Sequence, residues 1–258
     1  MFGDYEKFKK DVYQLTKIDL NAYKERQMKR RIDSLITKNK AKNYDEYVTM
    51  LKKDKEKFEQ FVGFLTINVS EFYRNPDQWK LLEKEVFPEL IEKYGNRLKI
   101  WSAACSTGDE PYSLVMALSK FLPISQIKII ATDIDKQILD TARMGLYAEK
   151  SLAAVPSEFK SKYFTKVGSS YKIADEIKAR VEFKQHDLLK DPYPTGCHLI
   201  VCRNVLIYFT EEAKEEVYRR FNNSLVQGGV LFIGSTEQIM SYRELNYQRN
   251  HSFFFQKL

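Results

Sequence analysis

Asp109 and Glu110 stand side by side directly after Gly108, where a run of small residues, Ser102-Ala-Ala-Cys-Ser-Thr-Gly108, gives way to an apolar helical pattern. Paired carboxylates at a helix start suit the positive end of the helix dipole, attract cations and repel phosphate. A dinucleotide site needs three glycines and a bare helix N-terminus, and this turn has one glycine. The geometry fits a nucleoside that carries a positive centre and no phosphate. An ordinary α/β turn in which Thr107 or Asp109 caps the helix explains the same residues equally well.

S-adenosylmethionine, with its sulfonium and ammonium groups, is the common cofactor of that description. Asp133 follows at the carboxyl end of the next apolar run, where a carboxylate can accept hydrogen bonds from two ribose hydroxyls. Its alternative is the N-cap of the following helix, a job Asp135 could also do. Upstream, Asn68-Val-Ser-Glu-Phe-Tyr-Arg-Asn-Pro76 sets Asn68, Ser70 and Arg74 beside aromatic residues. It reads as a linker, or as a flap that offers Arg74 to an anion. Cys105, Cys197 and Cys202 have no metal spacing, and no metal site is expected.

The elements that must position these groups follow from periodicity. Residues 1–67 carry four apolar patterns at steps of three and four, which predict a small all-α domain. Breaks fall near Ile18–Ala22, Asn39–Asn43 and Lys52–Lys55. Residues 68–97 form a linker and a connecting helix that starts at Pro76 and runs to about Tyr94. From residue 98 to 258 strands and helices alternate: Leu98–Trp101, Gln126–Asp135, Val181–Leu188, Cys197–Cys202, and Val230–Gly234 after a Gly228-Gly229 stop. A hairpin turning at Arg249–His251 closes the chain. This predicts an α/β Rossmann-like sheet of about seven strands, interrupted at about 147–180 by a β-hairpin insertion.

Composition supports a packed globular protein, with 43% hydrophobic and 14% aromatic residues among 258. No apolar run is long enough to span a bilayer, the start lacks a signal-peptide shape, and the cytoplasm is the expected location. The net charge is +7, and Asn21–Lys42 alone holds eight cations against two carboxylates. Lys24, Arg26, Lys29, Arg30 and Arg31 dominate that segment. It is either a solvated helix face or a docking surface for an acidic partner.

Four motifs, Asn68–Arg74, Ser102–Ser113, Ala131-Thr-Asp-Ile-Asp135 and Cys202-Arg-Asn-Val-Leu-Ile-Tyr-Phe209, together resemble the CheR-type chemotaxis receptor methyltransferases. Those enzymes esterify receptor glutamates using S-adenosylmethionine and release S-adenosylhomocysteine. The resemblance implies that Ala103 lines the adenosyl pocket, Glu110 meets the amino-acid end and Asp133 holds the ribose. Asn68, Ser70 and Arg74 would reach the cofactor from the linker, Asp187 and Leu188 would border the adenine, and Cys202, Arg203 and Asn204 would lie under the methyl group. It also implies a chemotaxis receptor as partner, with the basic N-terminal helix on the acidic, glutamate-bearing face of its cytoplasmic bundle. Two departures are visible: Asp109 stands where glutamate is usual, and Asp187 where some members have asparagine. The insertion's turn, Val167-Gly-Ser-Ser-Tyr171, is too short for the glycine-rich loop that binds a receptor tail peptide in some members.

The implied chemistry explains the lack of a Ser-His-Asp or metal pattern. A glutamate is ionised near pH 7, since its unperturbed pKa is about 4.3, so attack on a sulfonium methyl needs alignment and no general base. Arg74 could orient the substrate carboxylate and Tyr208 could hydrogen-bond near the reacting atoms, although Leu206–Phe209 also reads as a packing segment. A nucleic-acid methyltransferase, favoured by the basic segment, would place an Asn/Asp-Pro-Pro-aromatic turn after the fourth strand. Arg203-Asn204-Val205-Leu206 lacks both prolines, and nucleic acid is not expected as a partner. A non-catalytic S-adenosylmethionine-binding module is the remaining alternative.

Overall fold

The computed structural model describes residues 2–258, which form two compact units. The first contains the chain through Ile67 together with Leu206–Glu216; the second contains Asn68–Val205 and Val217–Leu258. The expected division assigned every residue after 97 to the second unit, so the return of Leu206–Glu216 to the first is new.

In the first unit the four expected helices are α1 (Tyr5–Thr16), α2 (Glu25–Lys38), α3 (Tyr44–Lys53) and α4 (Lys55–Thr66). Short polar side chains start three of them: Asp4 accepts from the amides of Glu6 and Lys7, Asn43 from that of Glu46, and Asp54 from that of Lys57. Phe8, Val12, Ile32, Ile36, Tyr47 and Phe61 are buried between the apolar faces. The returning segment is held by an antiparallel bridge between Tyr23 and Phe209, by Lys24 N–H donating to the Tyr208 carbonyl at 2.9 Å, and by Thr210 N–H donating to that of Ala22 at 2.8 Å.

The second unit opens with α5 (Pro76–Leu81), a π-helical stretch Leu82–Val86 and α6 (Phe87–Tyr94) in unbroken succession. Pro88 explains the wider turn. It has no N–H and its ring crowds the carbonyl four residues back, which opening the helix relieves. Alternation follows with β1 (Ile100–Ala103), α7 (Asp109–Leu118), β2 (Ile129–Asp133), α8 (Lys136–Met144), the insertion β3 (Leu146–Ala148), α9 (Ser157–Tyr163), β4 (Phe164–Val167), β5 (Ser170–Ile173), α10 (Asp175–Lys178), then β6 (Val181–Gln185), β7 (Cys197–Cys202), α11 (Glu211–Ser224), β8 (Leu225–Ile233), β9 (Tyr247–His251) and β10 (Phe254–Lys257).

The main sheet has seven strands in the order β6-β2-β1-β7-β8-β10-β9. Its first five strands are parallel and its last two antiparallel. Registers Ala103↔Thr132, Ser102↔Val201 and Cys202↔Ile233 bring the carboxyl ends of β1, β2, β7 and β8 to one edge, where an open α/β sheet binds its ligand.

The expected insertion hairpin is present as β4 and β5, and Leu146–Ala148 pairs with β5 to extend it to a three-stranded sheet, β3-β5-β4. Two local expectations are corrected. Gly228-Gly229 does not stop the chain before the fifth strand but lies inside β8, where Val230 and Phe232 pack in the core. The closing hairpin turns at Ser252-Phe253 and not at Arg249–His251, which belongs to β9.

Candidate functional site

The turn between β1 and α7 is wound by backbone and not by side-chain caps, which corrects the expectation for Thr107 and Asp109. Gly108 takes the cap position with φ 87°, and a Cβ there would sit 3.0 Å from Ala142 Cβ. Asp109 is buried, accepts from the Thr107 hydroxyl and interacts with Ser70. Ala104 and Ser106 also have positive φ, 62° and 49°, a local strain of the kind that collects at ligand sites.

Folding this turn against β2 builds an acidic wall. Ser102 Oγ donates to Glu110 Oε1 at 2.8 Å. Asp133 accepts from Ser106 N–H at 2.9 Å and from Asp135 N–H at 3.0 Å. Asp135 is the N-cap of α8 and also accepts from Asn68 Nδ2 at 2.9 Å, so the capping role open to Asp133 falls to Asp135. Burial is the main cause that pushes Glu110 up to about 7 and Asp133 up to about 6; Arg203 pulls Glu110 back, and the backbone amides pull Asp133 back.

Arg203, at the end of β7, binds the linker to this wall. Its Nη2 lies 2.9 Å from the Arg74 carbonyl, 3.0 Å from Asn75 Oδ1 and 2.7 Å from Gln78 Oε1, and its Nη1 lies 3.8 Å from Glu110 Oε2. The guanidinium covers the Phe232 ring at 4.7 Å. Next to it, Asn204 has φ 61°, and its amide and that of Val205 donate to Glu237, which also accepts from Gly234 N–H at 2.7 Å. A Cβ on Gly234 would stand 2.7 Å from the Asn204 nitrogen, so only glycine allows the two loops to touch.

Ser70, Arg74, Ser106, Glu110, Arg203 and Asn204 line one small cavity of about 30 Å³. Ser106 Oγ and Asn204 Oδ1 are buried there without a hydrogen-bond partner. Two uncommitted polar atoms beside two carboxylates poised to ionise suit a cationic nucleoside amino acid such as S-adenosylmethionine. A larger cleft of about 1420 Å³, lined by Arg97, Lys99, Lys128 and Arg180 among others, lies at the opposite, amino ends of β1, β2 and β6.

The remaining expected residues fall into separate groups. Ala103 and Cys202 are fully buried at strand ends. Asp187 turns the chain after β6 by accepting from Leu189 N–H at 2.8 Å, and the Leu188 carbonyl accepts from the Tyr193 hydroxyl and from Arg220, both at 2.7 Å. Tyr208 is half-buried in the first unit. Among the basic residues, Lys24, Arg26 and Arg30 are exposed, whereas Lys29 is bound to Asp33 at 2.6 Å and Arg31 donates to the Phe64 carbonyl at 2.9 Å. Sequence reasoning missed Glu237, Gln78 and Ser102. The only signal for Glu237 was a polar Ser-Thr-Glu-Gln run after an apolar strand.

Comparison with known families shows where the chain belongs. The family described as CheR methyltransferase, SAM binding domain, matches residues 68–253, and that described as CheR methyltransferase, all-alpha domain, matches residues 3–66. The chain belongs to the CheR methyltransferase family. A relative from Listeria innocua named chemotaxis protein methyltransferase is 42% identical over 98% of this chain and 97% of its own. One of the same name from Borreliella burgdorferi is 31% identical over 92% of this chain and 89% of its own. Chemotaxis protein methyltransferase 1 of Pseudomonas aeruginosa is 33% identical over 92% and 90%. The resemblance read from the four motifs therefore holds, and the cofactor of this CheR methyltransferase is S-adenosylmethionine.

If Glu110 meets the cofactor's ammonium group, as the resemblance implies, binding favours the ionised carboxylate, which in the free protein is protonated below about 7. Binding then expels a proton, so affinity should be flat above that pH and fall by up to about tenfold per unit below it. Calorimetry at pH 6 and pH 8 in buffers of different ionisation heat checks this; equal affinity with no proton release would separate Glu110 from the ligand.

Proposed function

We propose that this CheR methyltransferase transfers the methyl group of S-adenosylmethionine to the side-chain carboxylate of glutamates on chemotaxis receptors, in the cytoplasm at receptor clusters. The observation that carries the reading is the end-to-end match to proteins named chemotaxis protein methyltransferase, combined with a cavity that sets Glu110 beside Arg74, Arg203, Ser106 and Asn204. No helix among the described residues is long and apolar enough to cross a membrane.

When bound, the cofactor supplies a methyl group on a sulfonium, and its transfer to a carboxylate oxygen leaves S-adenosylhomocysteine. The chain's residues bind and orient. Glu110 and Asp133 take the amino-acid end and the ribose, with Asn68 and Ser70 closing over them from the linker. Asp187 and Leu188 border the adenine, and Ala103, Cys202, Arg203 and Asn204 form the floor. Arg74, half-buried and only weakly engaged with the Val69 carbonyl at 3.5 Å, has a planar fork suited to holding a substrate carboxylate in line. A hydrogen bond from the Tyr208 hydroxyl near the reacting atoms is the second such role. No proton changes hands, because the glutamate is already ionised.

Incubation with tritiated cofactor and receptor-bearing membranes tests the reading. Carboxyl methyl esters release methanol in base, whereas methylated amines do not, so base-stable label or no label refutes it. The exposed cations Arg26 and Arg30 supply the attraction to the acidic receptor face. Arg26→Glu with Arg30→Glu should raise the receptor KM about tenfold at 50 mM salt and less at 300 mM, because salt screens exposed charges, while cofactor affinity stays unchanged. A double mutant matching the parent at both salts would leave these charges as a solvated face.

A further inference from the structure

A second pocket lies on the far side of the loop that Glu237 anchors. About 270 Å³ in volume, it is walled by Ile239, Met240, Tyr242, Phe253 and Phe255, with Arg249 at the rim. Three observations mark it as a binding surface. Met240 is 86% exposed, the most exposed large apolar side chain among the described residues, on a loop that is otherwise internally bonded through Leu245 N–H to Ser241 O and Tyr247 N–H to Tyr242 O. Phe253 has φ 72°, a conformation that a bulky residue rarely adopts, yet its carbonyl is fixed by Ile233 N–H at 2.9 Å. Glu237 lines this pocket and, through the amides of Asn204 and Val205, also fixes the wall of the methyl-transfer cavity.

We infer that this pocket receives an apolar side chain of the receptor helix that presents the reacting glutamate, while Arg249 meets an acidic residue beside it. This rests on the proposed function. The occupant follows from continuity and charge. The two cavities share the wall that Glu237 holds, and on a helix a residue three or four positions away stands only about 5–6 Å from its neighbour. On this inference a glutamate is offered to one cavity while a neighbouring turn of the same helix rests on the other. The lining carries Arg249, Arg243 lies over the ring of the lining residue Tyr242, and the Glu237 carboxylate is occupied by three backbone amides. An acidic amphipathic helix suits such a surface, whereas a second copy of this chain, at +7, does not.

Met240→Glu and Arg249→Glu change exposed side chains and should leave the fold intact. With membranes carrying a chemotaxis receptor and tritiated cofactor, each should raise the receptor KM at least about tenfold without altering cofactor affinity measured by calorimetry. Met240→Leu should keep the parent KM. A Met240→Glu enzyme with the parent KM overturns the inference, and so does a matching loss of cofactor affinity, which would make the loop part of the cofactor site. If the parent enzyme itself incorporates no base-labile methyl, the proposed function fails and the assignment of this pocket falls with it. Base-labile labelling by the parent with unchanged variants removes the pocket alone.

Discussion

Arg203→Met should lower stability by about 3 kcal/mol at pH 8, the scale for removing one partner of a buried charge pair, and the deficit should shrink toward pH 6. The methionine keeps the contact with Phe232 but leaves the Arg74 carbonyl, Asn75 Oδ1 and Gln78 Oε1 without their shared donor. It also takes from Glu110 the nearer of two cations, leaving Arg74. The sign follows from that carboxyl. Its pKa in the folded protein, about 7, already exceeds its ordinary value of 4.5, and losing Arg203 raises it further. Ionised Glu110 then costs more as pH rises through the new value, whereas at pH 6 it is protonated and the cost is small. Thermal melts at both pH values check this, with a drop of about 6–12 °C expected at pH 8 from the usual scaling. A melt within a degree of the parent at both would show that the linker is held by packing alone.

Asp133→Ala should weaken S-adenosylmethionine binding by about 10- to 100-fold, corresponding to about 1–3 kcal/mol for removing a buried charge-assisted acceptor. Asp133 is 6% exposed, and its oxygens are already oriented by Ser106 and Asp135, so a ribose bound there would meet an acceptor fixed in advance. Removing it also frees the Ser106 amide at a residue with positive φ, which loosens the turn itself. Calorimetry on the folded variant is the measurement. An affinity within twofold of the parent would place the ribose elsewhere.

The parts of this site that sequence reasoning reached are those encoded within one strand-turn-helix unit. Apolar Ile100 and Trp101, the small residues to Gly108 and the acidic helix start are contiguous, and β1, the turn and α7 appear where that order puts them. Asp133 was legible for the same reason, as the end of a continuous apolar run. What failed was either very short or very long in range. Leu146–Ala148 is a three-residue strand with no alternation of its own, visible only through its pairing with β5. The choice between Thr107 and Asp109 as cap missed that Gly108 itself takes that place, with Asp109 turned toward the Thr107 hydroxyl. The contacts of Arg203 with Arg74, Asn75 and Gln78 join residues more than 120 positions apart, and those of Glu237 with Asn204 and Val205 span more than 30. No local pattern encodes such pairs. They exist because parallel strands deliver their carboxyl ends to one edge.

The return of Leu206–Glu216 to the helical unit bears on how members of this family can be recombined. A fragment starting at residue 68 would keep Phe209 without Tyr23 and the Tyr208 and Ala22 backbone partners of Lys24 and Thr210 on separate molecules. Chimaeras that exchange the N-terminal unit between relatives must therefore carry two stretches, 1–67 and 206–216, and a single crossover near residue 67 creates mismatched neighbours around Phe209. The contact between Tyr23 and Phe209 thus couples two positions of the helical unit that the whole stretch Asn68–Val205 separates in the chain.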